Sequence, residues 1–405
     1  MNDSRLNTLL GTAFLSLAIT GSAYAGGFAR GTADTDLLYE DGNFNMRSSV
    51  TYVSPTRKFT KNPNPALVGT TYTEDYLVPS AAMKLNLSSN LRCVGTHVQN
   101  NGGSVRYEFP TVSGKTMEDF VTYETAATCG VGFDAGQGKF WILGGGYLEQ
   151  FEYHRENFYG PLGGAQLDLN GGKLGYRLGV AYEIPEIALR GQILYRSGTS
   201  YGADGTLNAP VGILAMATAV SNPAASAQFN ALANLYGPDY KFALPALGVG
   251  NLPQSVDIKF QTGIAPGWLA FGQVKWTDWS RTTTLDVRAA SSGTPITSDL
   301  FYWRDGWTVT GGVGHKFNDM VSGLASLTWD RGVGTGWDLQ SDSYTAAFGA
   351  SLKDALGGEL RGGVGFTYLT SAHETRYAEI PGVSGNQAVK AGHAVALNLG
   401  YNIKW

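Results

Sequence analysis

The chain has 405 residues, 55 glycines, 12% aromatics, 15% charged residues and a formal net charge of -4. Soluble domains usually carry about 25% charge and ~7% glycine, so this composition argues against an ordinary soluble enzyme surface. With no basic run and a negative balance, it also argues against nucleic acid as a partner.

Residues 1–25 read as a secretory signal: Arg5 is the positive start, Leu9 to Ile19 the apolar core, and Ala23-Tyr24-Ala25 the cleavage site. That core is too short to cross a bilayer as a helix, and no later run reaches the ~18 apolar residues a spanning helix needs. Mean hydropathy is -0.11, but a membrane strand hides its signal in alternation and escapes that average. The mature chain is expected to begin near Gly26. Residues 26–47, rich in Gly, Asp and Asn, are too polar for a lipid-facing strand. They are expected to fold into a lumen as a hatch, the alternative being a loose tail.

From residue 48 to 405 about fourteen strand-like segments recur, the first at 48–53 and the last at 393–405. Several alternate cleanly. Leu174, Tyr176, Leu178, Val180 and Tyr182 oppose Gly175, Arg177, Gly179, Ala181 and Glu183. Successive strand side chains point to opposite faces, so one face is apolar and the other small or charged. The closing segment repeats this with Val395, Leu397, Leu399, Tyr401, Ile403 and a terminal Trp405. The connections alternate short (88–90, 134–138, 185–186) with long (54–77, 99–122, 154–172), as in a barrel with short periplasmic turns and longer outer loops. The expectation is all-β: a transmembrane antiparallel β-barrel spanning 48–405, with 393–405 closing against 48–53.

Cys93 and Cys129 lie near the same short-turn end of neighbouring strands, and an oxidising compartment favours a disulfide between them. Their faces do not match if Val94 and Val98 point to lipid, which a bulge would reconcile. In the longest outer loop, residues 210–236 are Ala-rich and helix-favouring, with a break near Pro223. Ile213, Leu214, Met216, Phe229, Leu232 and Leu235 either line an apolar groove for a ligand or merely cap the rim.

No HExxH, CxxC or phosphate loop occurs, and His97, His154, His315, His373 and His393 lack metal-ligand spacing. Neither an enzyme nor a cofactor or metal is expected. Leu252-Pro253-Gln254-Ser255, followed by Lys275-Trp276-Thr277-Asp278-Trp279-Ser280-Arg281, resembles a passage of the FadL family, transporters of long-chain fatty acids and hydrophobic compounds in Gram-negative outer membranes. Tyr302-Trp303-Arg304-Asp305-Gly306-Trp307 and Gly311-Gly312-Val313-Gly314 are similar to that family's next strand entry, and Pro79-Ser80-Ala81-Ala82 also fits. The resemblance implies fourteen strands, a lumenal hatch, helical outer loops and passive uptake of a hydrophobic molecule. The family's Asn-Pro-Ala triplet falls here at Asn64-Pro65-Ala66, in the first outer loop rather than the hatch. Outer-membrane lipid and lipopolysaccharide are the expected surroundings, and a monomer the expected state. Candidate ligand contacts are Lys275 with its neighbours Trp276 and Trp279, and the other cations that parity turns inward: Arg177, Arg190, Arg196, Lys259 and Arg361. The competing reading for each cation is an ion pair with a lumenal acid, and the competing function is a general polar-solute porin.

Overall fold

The computed structural model describes residues 26–220, 222–355, 357–376 and 386–405. The expected signal peptide lies outside them. Fourteen antiparallel strands form the wall: β1 (Phe44–Thr56), β2 (Tyr76–Asn86), β3 (Leu91–Arg106), β4 (Lys115–Ala135), β5 (Gly138–Phe158), β6 (Gly164–Ile184), β7 (Leu189–Arg196), β8 (Ser255–Ala265), β9 (Trp268–Thr277), β10 (Gly306–Lys316), β11 (Val321–Asp330), β12 (Ser343–Lys353), β13 (Gly358–Leu369) and β14 (Gly392–Lys404). Each pairs with its chain neighbour, and β1 pairs with both β2 and β14, which closes the sheet. Closure matters because hydrocarbon offers no water to an unpaired strand edge.

The alternation has its expected orientation. Leu174, Leu178 and Leu399 are 77%, 56% and 57% exposed, whereas Arg177 is 3% exposed and faces the lumen. The strands run further outward than their apolar pattern. β4 and β5 extend to Asp119 and His154, whose outward faces are polar because they stand above the lipid. The outer loops after β7 and after β9 also hold strands absent from the sequence reading. Thr199–Pro210 pairs with Lys241–Leu252, and Thr284–Ala289 with Pro295–Leu300, extending the same sheet outward.

Between the first two of these strands lie α1 (Val211–Thr218) and α2 (Pro223–Tyr236). Asn222 caps α2 by accepting from the Ala225 backbone N–H at 3.1 Å, and Pro223 occupies the first turn, where no amide proton is needed. Leu214 and Phe229 are buried and pack with Val211, Ala209 and Ala165. Asn64 caps a short 3-10 turn, Pro65–Leu67, in the first outer loop.

β3 departs from the pattern. Residues 98–104 are buried without alternation, and its pairing with β4 shifts register between Gln99 and Asn101. Its pairing with β2 runs only from Asn86–Arg92 to Ser80–Val98, so Tyr76 to Pro79 have no partner on that side. The strand has bent into the lumen. Val94 and Val98 therefore point inward, which puts Cys93 on the outer face with Cys129, Val131 and Phe133. Cys93 stands directly opposite Cys129 and the two form a disulfide. The face mismatch expected from sequence came from assigning the valines to lipid, and the bulge lies beyond the cysteines.

The polar N-terminal segment descends the lumen from Gly26 to Asn43, with a 3-10 turn at Thr35–Tyr39, and the wall begins at Phe44 rather than at 48. Leu37 and Leu38 pack against Val94, Trp141, Leu143 and Leu194 of the inner wall.

Trp405 is 67% exposed at the short-turn end, and its ring centroid lies 5.3 Å from that of Phe44. Its backbone N–H donates to Phe44 O at 2.9 Å, and its carbonyl accepts from Asn43 and Phe44. Deleting Trp405 is expected to lower barrel insertion before it lowers uptake per inserted molecule. Heat-modifiable mobility of the membrane fraction checks this; normal barrel yield with lost uptake would contradict it.

Candidate functional site

The outer half of the lumen holds a cavity of about 250 Å³. Aromatic rings dominate its wall: Phe28, Tyr72, Tyr107, Phe120, Tyr153, Tyr201, Phe301, Trp303 and Trp337. They converge from distant parts of the chain. Phe120 and Tyr153 come from the inward faces of β4 and β5, Phe301 and Trp303 from the strand entry before β10, and Trp337 from the loop after β11.

Phe28, from the N-terminal segment, joins them at the floor. Its ring lies 4.8 Å from Phe120, 4.8 Å from Trp303, 5.3 Å from Phe301 and 6.1 Å from Trp279, all edge-on. Such pairs stabilise by about 0.5–1.5 kcal/mol beyond their burial. Gly27 makes the approach possible. It holds φ +64°, and a Cβ there would fall 2.6 Å from the Trp279 indole.

The same segment fills the gap left by the bent β3. Phe28 O accepts from Gly102 N at 2.7 Å, and Arg30 N donates to Asn100 O at 2.9 Å, so Ala29 pairs with Asn101 as a strand would. The Arg30 guanidinium lies 4.0 Å over the Tyr76 ring and donates to Ser104 Oγ at 2.9 Å. The Gln99 amide accepts from Arg30 Nη1 at 2.5 Å and donates to Leu77 O at 2.6 Å, bridging β3 to the unpartnered end of β2.

Below Phe28 the lumen narrows to cavities of about 60 Å³ and 80 Å³ on two sides of the segment. Here the segment is held by charge. Asp36 meets Lys259 at 2.8 Å and Arg190 at 3.8 Å, Asp34 meets Arg47 at 2.6 Å, and Glu40 pairs with Arg47 and with Arg361 at 3.8 Å. A second buried group links Arg177 to Glu124, and Arg196 to Glu124 at 2.6 Å and Glu149 at 2.7 Å. Removing one partner of such a pair leaves an uncompensated charge and costs several kcal/mol, about 3–5 in measured cases.

Five of the six lumenal cations picked out by parity are therefore engaged with acids. Lys275 differs: among the described residues it has no carboxylate within 4 Å, and it lines the 60 Å³ cavity with Asp257 and Thr277. Trp279 is 1% exposed and packs at 5.2 Å from Trp303, beneath the chamber. Trp276 is not in the lumen. Strand alternation puts it on the face opposite Lys275, across from Trp307, with its indole N–H donating to Asp305 at 3.0 Å. The helical candidates also lie elsewhere. Leu214, Phe229 and Leu232 belong to the α1–α2 packing, Ile213 is half-buried on α1, and Met216 is 62% exposed at the surface. None of them lines the chamber. Leu214, Phe229 and Leu232 are used by the two short helices to pack on each other.

The chamber residues missed from sequence carried one signal, the dense aromatic run Phe301-Tyr302-Trp303. The carboxyls of Asp338 and Glu374, in the outer loops, were missed entirely. Burial pushes Glu374 up to about 7, opposed by the backbone N–H of Gln387 at 2.9 Å. Burial likewise pushes Asp338 up to about 6, opposed by the Trp303 indole N–H.

The family model described as outer membrane protein transport protein (OMPP1/FadL/TodX) matches residues 143–330. A FadL homologue from Pseudomonas aeruginosa superposes with a TM-score of 0.72 at 13% identity, covering 96% of this chain and 97% of that one. The Pseudomonas putida toluene transporter TodX gives 0.61 at 11% identity, covering 98% and 100%. The CymD monoaromatic hydrocarbon channel gives 0.63 at 10% identity, covering 98% of each chain. At these identities the likeness to solved structures concerns the fold. No curated sequence matches the chain.

The raised carboxyls bear on stability. Their folded values, about 6 and about 7, lie above the ordinary 3.8 and 4.5, so the folded outer loops bind more protons across that interval. The stability they contribute is complete below the ordinary values and is lost as pH rises through the folded ones. Protease cleavage within the outer loop after β11 is expected to be slower at pH 5 than at pH 8, and Glu374→Gln to reduce the difference. Equal protection at both pH values would contradict the assignment.

Proposed function

We propose, from the premise that the chain belongs to the FadL/TodX family of outer-membrane transport proteins of Gram-negative bacteria, that its aromatic chamber receives a hydrophobic molecule and passes it inward when the N-terminal segment yields. The observation that carries this is Phe28: the floor of the chamber is a side chain of the same segment that closes the lumen. Leaving water for an apolar wall is worth about 0.8 kcal/mol per CH₂, so a seven-carbon solute gains roughly 5 kcal/mol. That gain is available without an energy source. Lipopolysaccharide presents a polar surface, so such solutes need a route around it.

The way out follows from β3. With the segment in place, the unpartnered stretch Tyr76–Pro79 is covered by Arg30, Gly31 and Gln99. With the segment withdrawn, the gap between β2 and β3 opens sideways to the bilayer, where a hydrophobic molecule partitions spontaneously.

Aromatic hydrocarbons are one cargo class, that of the toluene transporter TodX and the monoaromatic hydrocarbon channel CymD, and compact rings suit the chamber's size. Long-chain fatty acids are the second reading, favoured by the Lys275 ammonium, which has no carboxylate within 4 Å among the described residues. A fatty-acid head would reach it only past Phe28. A polar-solute porin fits poorly, because the segment and its ion pairs occupy the lumen. The chain is read as a monomeric channel with no enzymatic role.

Three outcomes test this. Residues 29 and 101 face each other between two inter-strand backbone hydrogen bonds, so their Cα atoms lie about 4.5 Å apart. Ala29→Cys with Asn101→Cys is expected to form a bond that stops uptake of labelled toluene, with the single variants unaffected. In planar bilayers the wild type is expected to show no steady large conductance, and a steady large conductance would sink the transporter reading. Lys275→Ala is expected to weaken oleate binding several-fold and leave toluene binding unchanged; unchanged oleate binding removes the fatty-acid reading.

A further inference from the structure

We propose, building on the uptake reading above, that the outer chamber selects compact aromatic solutes that are neutral or carry a hydrogen-bond donor, benzylic alcohols and amines above all, and turns away the corresponding carboxylates. The charges lining it are unbalanced: Arg57 and Lys115 against Glu118, Asp299, Asp338 and Glu374. Both cations are already engaged. Lys115 pairs with Glu118 and lies 3.4 Å from Asp299. Arg57, buried at 1% exposure, donates to Leu339 O at 2.7 Å, Ser341 Oγ at 2.8 Å and Thr370 O at 2.5 Å. Lys115 is thus held by acids, and Arg57 keeps only its Nε without a partner, so the lining stays at two cations against four acids.

The acids are in the opposite position. Among the described residues neither Asp338 nor Glu374 has a cation within 4 Å. Asp338 accepts from the Trp303 indole and from Gln340 N at 3.1 Å. Glu374 accepts from Gln387 N at 2.9 Å and Gln387 Nε2 at 3.2 Å. A carboxylate has about four acceptor sites, so each keeps capacity for another donor. Their upward shift has burial as its leading cause, which Arg57 at Asp338 and Lys115 at Glu374 offset only in part. A second carboxylate brought among them would be desolvated beside like charge, the least favourable combination for an anion. A hydroxyl or protonated amine meets the reverse, and the faces of Trp303 and Trp337 add cation–π attraction for an ammonium.

Size completes the selection. A dry cavity of about 150 Å³ holds benzene, and this chamber is about 250 Å³. It accommodates one substituted ring, not an extended long chain.

The test uses the purified full chain in detergent micelles at pH 8 and four probes of near-equal shape: toluene, benzyl alcohol, benzylamine and benzoate, compared by equilibrium dialysis. Benzyl alcohol and benzylamine are expected to bind at least about tenfold more tightly than benzoate. Asp338→Asn with Glu374→Gln, or Glu374→Gln alone if the pair fails to fold, is expected to shrink that gap to about threefold or less. Benzoate binding within about threefold of benzyl alcohol in the wild type overturns the proposal, as does an unchanged gap in a folded variant. If all four bind equally, selectivity falls while uptake stands. If toluene too fails to bind, the chamber is not the ligand site and the uptake reading falls with it.

Discussion

An unpaired strand edge cannot be left in hydrocarbon, and this structure is organised around that constraint. Its wall junctions meet it by ladders between neighbouring strands, β14 closing on β1 included. At the junction between β2 and β3 the ladder stops at Ser80–Val98. On the β3 side the missing backbone partners are supplied from inside, where Phe28 and Arg30 bond to Gly102 and Asn100. The N-terminal segment is thus a plug and a partial fifteenth strand at once. Moving it removes the floor of the chamber and uncovers the junction in one event.

How tightly the segment is held differs along its length. Its lower half is fastened by Asp34, Asp36 and Glu40 to cations of the wall, in surroundings where charge pairs resist separation. Its upper half rests on aromatic edges and two or three backbone bonds. The upper half faces the solute chamber and is the less costly part to displace. The more loosely held half therefore lies next to the chamber and the anchored half next to the periplasm.

Much of the wall was legible in the chain. Period-two alternation reports which side chains meet lipid, and lipid does not tolerate exceptions, so Leu174 to Tyr182 and Val395 to Trp405 announced their faces directly. Lumenal cations were legible for the same reason, as the residues opposite an apolar row. What pattern could not reveal was their partners. Arg190 and Lys259 lie far from Asp36 along the chain, and only closure of the cylinder brings them together. Trp276 and Trp279 looked equivalent as neighbours of Lys275, yet the strand turns Trp276 outward while the 3-10 turn after it carries Trp279 inward.

By itself the sequence determined a closed membrane barrel of fourteen strands, the position of its short turns, the pairing of its last strand with its first, and a polar segment unable to sit in the wall. These are one-dimensional properties, imposed residue by residue by the alternation of lipid and lumen. Only the tertiary structure decided the inward bend of β3, the faces of Val94 and Val98, the joining of Cys93 to Cys129, and the assembly of rings from Phe28 to Trp337 into one chamber. Those depend on which distant residues a closed sheet and its plug bring to the same height, and local periodicity carries no record of that.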